Sequence, residues 1–371
     1  MGKKERTILL INLITFFLSI SYETVFTVLP FYLTTVLGTS MFVIGIIEGG
    51  YDLIANFVKI FSGYWSDFIK KKRFLFTAVS FSLISKIYFV SGKKWGDVLI
   101  ATSLEAFSEG IITPVNDTYL SSGDKNRLGR IFGINRAFEN IGAFLGILIA
   151  LIFTWFFLDR VSYRNYFLIS IIPVIFAFFL ILFIPSEKKE KKRYSMPIVS
   201  WESFFPKYIA LFLLLSVVDF GYSFYILRTY SQINSEAVTI LFYLIFTVMV
   251  GLASLQAGKI FDRIGEKRFL LTTAFLFLIS HFLMIVFPAG GFFTFAFADA
   301  FLDIGIWATV GKKIRFRKGF VFGTYHFTVG FASLISGMVA GYLWDTVSPE
   351  SPFFLGMVIS ALTYIIINKY F

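Results

Sequence analysis

The sequence predicts an all-α integral membrane protein whose twelve transmembrane helices form two pseudo-symmetric bundles of six. Three observations predict it. Apolar runs of about 18 residues or more recur along the whole chain, with short charged turns between them. One charged, proline-bearing segment interrupts that rhythm at mid-chain. The stretches on either side of it repeat one another.

Composition agrees. Of 371 residues, 57% are hydrophobic and 15% charged, too few polar positions to coat soluble domains of this size. The 50 Phe and 18 Tyr suit rings placed between acyl tails and headgroups. The chain has no Cys, which excludes a disulfide framework and a thiolate metal centre. No cofactor and no resident metal are expected. The net charge of +11 raises nucleic acid as a partner, but the bases collect in loops, as in a membrane protein.

The spans follow in order. The first, 7–33, opens after MGKKER; its apolar run exceeds the about 7–15 residues of a signal-peptide core, and no small-residue cleavage site follows, so it is read as retained. Apolar runs bounded by charged or Gly/Pro-bearing turns then give 41–66, 73–91, 95–117, 129–157 and 164–184. Segment 185–206 carries Pro185, Pro197, Pro206 and a run of charges, and reads as a linker. The second half gives 207–230, 236–261, 268–287, 291–311, 319–344 and 352–369. The domains are therefore 1–184, the linker 185–206, and 207–371. With the N-terminus inside, Lys and Arg favour the inner segments by roughly six to one, which puts both termini and the linker in the cytoplasm. The expected location is the cell membrane, and the expected state a monomer.

The repeat is readable residue by residue. Residues 63–73 read GYWSDFIKKKR and 258–268 read GKIFDRIGEKR. Matching Gly63 to Gly258 also matches Asp67 to Asp262, Lys72 to Lys267 and Arg73 to Arg268. GRIFG at 129–133 echoes GFVFG at 319–323 and sets Arg136 opposite His326. Glu105 and Glu109 answer Asp299 and Asp303, and Glu23 falls near the place of Asp219. Two such halves in a membrane commonly enclose a midplane site that opens to each side in turn.

The segment at 258–268 resembles the cytoplasmic signature of the major facilitator superfamily, Gly-x-x-x-Asp-Arg-x-Gly followed by bases. The copy at 63–73 departs from it, with Phe68 for Arg and Lys70 for Gly. The resemblance covers essentially the whole chain. It implies two six-helix halves that rock about a central cavity, and a gating role for Gly63, Asp67, Gly258, Asp262 and Arg263. On span 5, Gly142 and Gly146 keep a GxxxG spacing without the proline of the antiporter pattern. A close-packing helix face and an antiporter mark are both open readings of it.

Nine acids lie inside predicted spans: Glu23, Glu48, Asp52, Glu105, Glu109, Glu139, Asp219, Asp299 and Asp303. An ionised carboxylate at a span centre costs about 2.5–3.5 kcal/mol. Nine facing lipid would cost roughly 25 kcal/mol, more than the ~5–15 kcal/mol that holds a fold. Most must face protein or water. None lies on spans 3, 6, 9 or 12, the outer helices that the resemblance implies. The i, i+4 pairs on spans 4 and 10 put both carboxylates on one helix face. Pairs that close resist joint ionisation and suit proton loading or a cationic substrate. Lys59, Arg136 and Arg228 are the bases expected among the spans, whereas Lys86 is expected to snorkel from the outer end of span 3 and His281 to be structural. Arg136 can pair with Glu139 or touch substrate, and His326 can titrate near neutrality. Asp117 is expected at the cytoplasmic end of span 4 as a partner of the signature loop.

These residues predict a secondary transporter moving a small molecule with protons as the coupling ion. Efflux of a cationic or lipophilic compound is the first reading, and uptake of a small solute or a divalent metal the second. A membrane sensor without transport is the rival class. No nucleophile elbow, His-Glu-x-x-His helix or phosphate loop is present, so no enzyme is expected.

Overall fold

The computed structural model describes residues 3–65, 70–121, 123, 127–158, 161–185, 205–313 and 318–370. Residues 186–204 of the linker and Asp67 lie outside the described residues. All regular structure among the described residues is helical, as hydrocarbon demands of a chain that must satisfy its own backbone.

The helices are α1 (Lys3–Phe26), α2 (Leu29–Phe31), which runs into a π-turn at Tyr32–Val36, α3 (Met41–Trp65), α4 (Lys71–Ser91), α5 (Trp95–Ser121), α6 (Leu128–Phe156) and α7 (Tyr163–Leu182). After the linker come α8 (Phe205–Val217), α9 (Tyr222–Ile233), α10 (Glu236–Ile264), α11 (Glu266–Val286), α12 (Pro288–Lys313), α13 (Lys318–Thr346) and α14 (Ser351–Tyr370). Pro30 sits in the first turn of α2, where its missing N–H costs nothing. Eleven stretches among the described residues are long and apolar enough to cross a membrane. The seventh expected span is missing from that set because it is broken. Its two pieces, α8 of 13 residues and α9 of 12, are each too short to cross alone.

Two compact units result. The first holds 1–37 and 54–195, the second 38–53 and 196–371, so the opening turns of α3 group with the second unit. In the first, α1 packs on α6 and α7, and α4 on α5 and α7. In the second, α11 packs on α12 and α14, α10 on α12, and α8 on α13. The span-5 glycines are packing residues here. A Cβ on Gly142 would strike the Phe16 carbonyl, and one on Gly146 the Ile20 carbonyl at 2.7 Å. Phe76, Ile84 and Ile87 on α4, Ile172 and Phe179 on α7, Phe275 and Phe282 on α11, and Val358 and Ile365 on α14 are exposed. These are the spans expected to meet lipid.

The signature turns differ in backbone. In the second copy Gly265 adopts φ +78° between α10 and α11, a conformation that favours glycine. Lys70 at the matching place is extended, with φ −60° and ψ 115°. The matched lysines do the same work in both copies. Lys72 Nζ donates to the carbonyls of Leu182 and Ile184, both at 2.8 Å, at the end of α7. Lys267 Nζ donates to the Asn368 carbonyl at 2.7 Å, near the end of α14. Each closes the last helix of its half by meeting orphan carbonyls at the negative end of the dipole.

Candidate functional site

The break in span 7 is written in Asp219-Phe220-Gly221. Gly221 takes φ +96° and ψ 151°, which no helix accepts. Its N–H turns to Asp219 Oδ1 at 3.2 Å, a local bond that competes with the helix. The freed backbone groups find partners elsewhere. Ser336 Oγ donates to the Val217 carbonyl at 2.7 Å. His281, wholly buried on α11, places Nε2 3.1 Å from the Val218 carbonyl and 3.1 Å from the Tyr225 hydroxyl. Ser223 N–H donates to Glu48 Oε1 at 3.1 Å. The structural role expected of His281 is thus a specific one: it holds the break.

Around the break the second unit gathers acids. Asp299 on α12 accepts from Tyr222 Oη at 3.1 Å. Asp219 and Asp303 lie close enough for their charges to act on Asp299, and Asp52 and Asp219 act likewise on Glu48. Tyr225 stacks on Phe295 with ring centres 3.8 Å apart, and Tyr222 packs edge-on against Phe246 and Phe295. Among the described residues no Lys or Arg pairs with Glu48, Asp219 or Asp299. His326, on α13, is half-buried.

The first unit treats its acids differently. Lys86 does not snorkel. It is fully buried, with Nζ 3.0 Å from Glu105 Oε2 and 5.9 Å from the ring centres of Phe26 and Phe89. Ser82 Oγ donates to the same carboxylate at 2.9 Å. Glu109 pairs with Lys59 at 2.7 Å. Each acid of the span-4 pair therefore has a base. A lysine from span 3 faces inward, and the lysine of span 2 reaches across. Arg136 binds both oxygens of Glu139, at 3.0 and 2.9 Å, along one helix, with its own side chain 72% exposed. Glu23 accepts from Thr27 Oγ1 at 3.2 Å, and Asp117 is exposed on α5. Arg228 is not a base for the acids either. It donates to the Met284 and Ile285 carbonyls at the end of α11 and pairs with Glu350 at 2.8 Å.

At the signature loops, Asp262 and Arg263 are exposed. A Cβ on Gly258 would meet nothing within 4 Å, and one on Gly63 only Pro114 Cβ at 3.9 Å. Close backbone approach occurs at Gly45 and Gly49 of α3, which touch the backbone of α13 at Gly337 and Leu334. Sequence reasoning passed over this contact, although Gly45-x-x-x-Gly49 and Gly337-x-x-x-Gly341 carry the spacing.

Apolar spans in two units, with carboxylates held inside the protein, define a multi-pass membrane transporter. The sequence profile of the Major Facilitator Superfamily matches residues 11–336, and the chain belongs to that family. It is a family of transporters, not of enzymes. An uncharacterized MFS-type transporter of Methanocaldococcus jannaschii is 27% identical over 383 residues, covering 97% of this chain and 93% of the relative. Among solved structures, a mutant form of the nucleoside transporter NupG superposes with a TM-score of 0.84 at 14% identity, covering 98% of this chain and 100% of that one. A D-xylose-proton symporter gives 0.76 at 14% identity, covering 100% of this chain and 98% of that one. These likenesses show the fold.

Proposed function

We propose that this protein exports a small cationic or lipophilic solute across the cell membrane in exchange for protons. Asp219, Asp299 and Asp303 are the proton-loading set, with Glu48 and Asp52 beside them. The halves 1–184 and 207–371, joined by the linker 185–206, rock about the substrate, and both termini face the cytoplasm. Gly63, Asp67, Gly258, Asp262 and Arg263 gate the cytoplasmic side. The protein acts as a monomer.

One observation carries the reading: Glu105, Glu109 and Glu139 of the first unit take lysine or arginine partners, whereas among the described residues Asp219 and Asp299 accept from an N–H and a tyrosine hydroxyl and pair with no base. A carboxylate matched to a lysine in a buried pair has little reason to exchange its proton. Carboxylates crowded against one another resist joint ionisation and so take up protons readily. The aromatic wall of Tyr222, Tyr225, Phe246 and Phe295 supports a cation or an apolar ring as cargo. On this reading Glu23, Glu105, Glu109, Arg136, Glu139 and His326 shape the substrate path and do not carry the coupling proton.

A second reading is proton-driven uptake of a neutral solute. It is favoured by the pairing of Glu105, Glu109 and Glu139, which removes the negative charge a cation would seek in the first unit. The likeness to a sugar-proton symporter points the same way.

Flux decides. Proteoliposomes under an imposed pH gradient are expected to move a lipophilic cationic dye, with D299N/D303N abolishing the response to the gradient. Undiminished coupled transport in that variant refutes the proton assignment. Uptake of sugars or nucleosides without dye movement selects the second reading. Ligand binding with no flux under any gradient selects a sensor.

A further inference from the structure

We propose that Glu48 and Asp345 form a two-point latch that fastens the first half of α3 onto spans 7 and 11, and that the charge on Asp219 sets its strength. The purpose of the latch rests on the alternating-access reading above; its geometry does not.

A helix leaves its first N–H groups without intrahelical partners. Two helix starts in the second unit are capped by carboxylates from elsewhere in the chain. At the start of α9 the cap position is Gly221, which has no side chain to offer. Glu48 of α3 supplies the cap. Its Oε1 and Oε2 lie 3.1 and 3.3 Å from Ser223 N, and Ser223 Oγ also donates to it. A Cβ on Gly221 would collide with this carboxylate, so the glycine clears its seat. At the start of α3 the positions are reversed. Asp345, in the last turn of α13, accepts from Met41 N at 3.0 Å and from Phe42 N at 2.8 Å.

Between the two points the contact is smooth backbone. Gly45 meets Gly337, Gly49 meets Ser333 and Leu334, and Gly341 meets Met41 and Phe42. At these glycines backbone meets backbone, and the polar contacts at the two ends are those of the two carboxylates. Both carboxylates sit at the positive ends of helix dipoles, where negative charge is favoured.

Glu48 does not sit among neutral groups. Asp52 lies one turn further along its own helix, and the Glu48 carboxylate rests against Gly221, whose N–H donates to Asp219 Oδ1 at 3.2 Å. No Lys or Arg pairs with it among the described residues. Ionised Asp219 repels the Glu48 carboxylate. A proton on Asp219 removes that repulsion and tightens the latch; its release loosens the latch. The proton site is thereby wired to a mechanical contact one side chain away.

The absence of Cys makes the test direct, because a single introduced thiol has no background. Met41 is buried at the start of α3, and its backbone meets Gly341 of α13. In Met41→Cys protein in detergent, without substrate, the rate of maleimide labelling reports opening. E48A and D345A are each expected to raise it about 5–30-fold, the equilibrium factor of losing one helix cap. D219N is expected to lower the rate when Glu48 is present and to have no effect in the E48A background. E48Q keeps the shape of the side chain without its charge. Should E48A fail to fold, E48Q carries the test, with labelling raised and insensitive to D219N. Rates unmoved by both E48A (or E48Q) and D345A overturn the latch. So does a D219N effect that is the same with and without Glu48. Normal latch behaviour without flux in proteoliposomes would sink the transport reading and leave the latch standing.

Discussion

Replacing Lys86 with Met tests the account of the first unit at its most exposed point. Lys86 is wholly buried, and the Glu105 side chain is only 8% exposed, at 3.0 Å. At an effective dielectric of about 20, two unit charges at that separation attract by roughly 5–6 kcal/mol. Desolvation of each ion costs several kcal/mol, so the intact pair comes out near neutral. Removing one partner is another matter. Met fills most of the lysine's volume, yet it leaves Glu105 buried with only the Ser82 hydroxyl. Loss of one partner from a buried pair costs about 3–5 kcal/mol, a large part of the stability of any domain. Removing both, as K86M/E105L, should restore most of it. Thermal unfolding of purified protein in detergent measures all three variants, and dye flux in proteoliposomes shows whether the double variant still transports. A K86M protein as stable as the parent would refute the buried-pair reasoning. A double variant less stable than either single would refute it as well.

Three further outcomes are expected. K72A and K267A should each destabilise the protein by about 0.3–1 kcal/mol by uncovering the carbonyl end of α7 or α14, and chemical denaturation should find the two effects additive. G221A should cost at least ~1–3 kcal/mol, since alanine there must hold a positive φ and displace the Glu48 carboxylate; thermal shift checks it. E109Q should change stability by less than about 1 kcal/mol, because Lys59 and Glu109 are 20% and 40% exposed, and the flux response to a pH gradient should survive.

The architecture was legible because hydrocarbon imposes a strong rule. A chain in lipid must form long apolar helices, and those leave a plain signal in runs such as 164–184. The repeat was legible because GKIFDRIGEKR and GYWSDFIKKKR preserve a register. The matched Lys72 and Lys267 then proved to perform one task. What sequence alone did not reveal depended on which way a side chain points. Lys86 reads as a snorkelling base because its place along the span is known, while its angle around the helix axis relative to Glu105 is not. The break in span 7 was missed for a different reason. LLLSVVDFGYSFYIL keeps its hydropathy across the gap, and only the Asp-x-Gly pattern marks it. The glycines that bring α3 against α13 were overlooked because the signature glycines drew the attention that Gly45 and Gly337 merited.

The two units therefore share a scaffold and differ in chemistry. Their echoing lysines close helices in the same manner, yet the echoing acid pairs are handled in opposite ways. Glu105 and Glu109 are each given a lysine, while Asp299 receives a tyrosine hydroxyl and the charge of its neighbours. A glutamate reaches a lysine on an adjacent helix more easily than the shorter aspartate does, so the residue types suit the two outcomes. If our assignment of the coupling proton to the second unit holds, exchanging the types exposes it. K86M/E105L should still respond to a pH gradient, because the pair it removes carries no proton in the cycle. D299E, which keeps the charge and lengthens the reach, should shift the pH at which flux is half-maximal without abolishing it. Loss of gradient response in the first variant, with normal response in D299N/D303N, would invert the assignment and place the proton in the first unit.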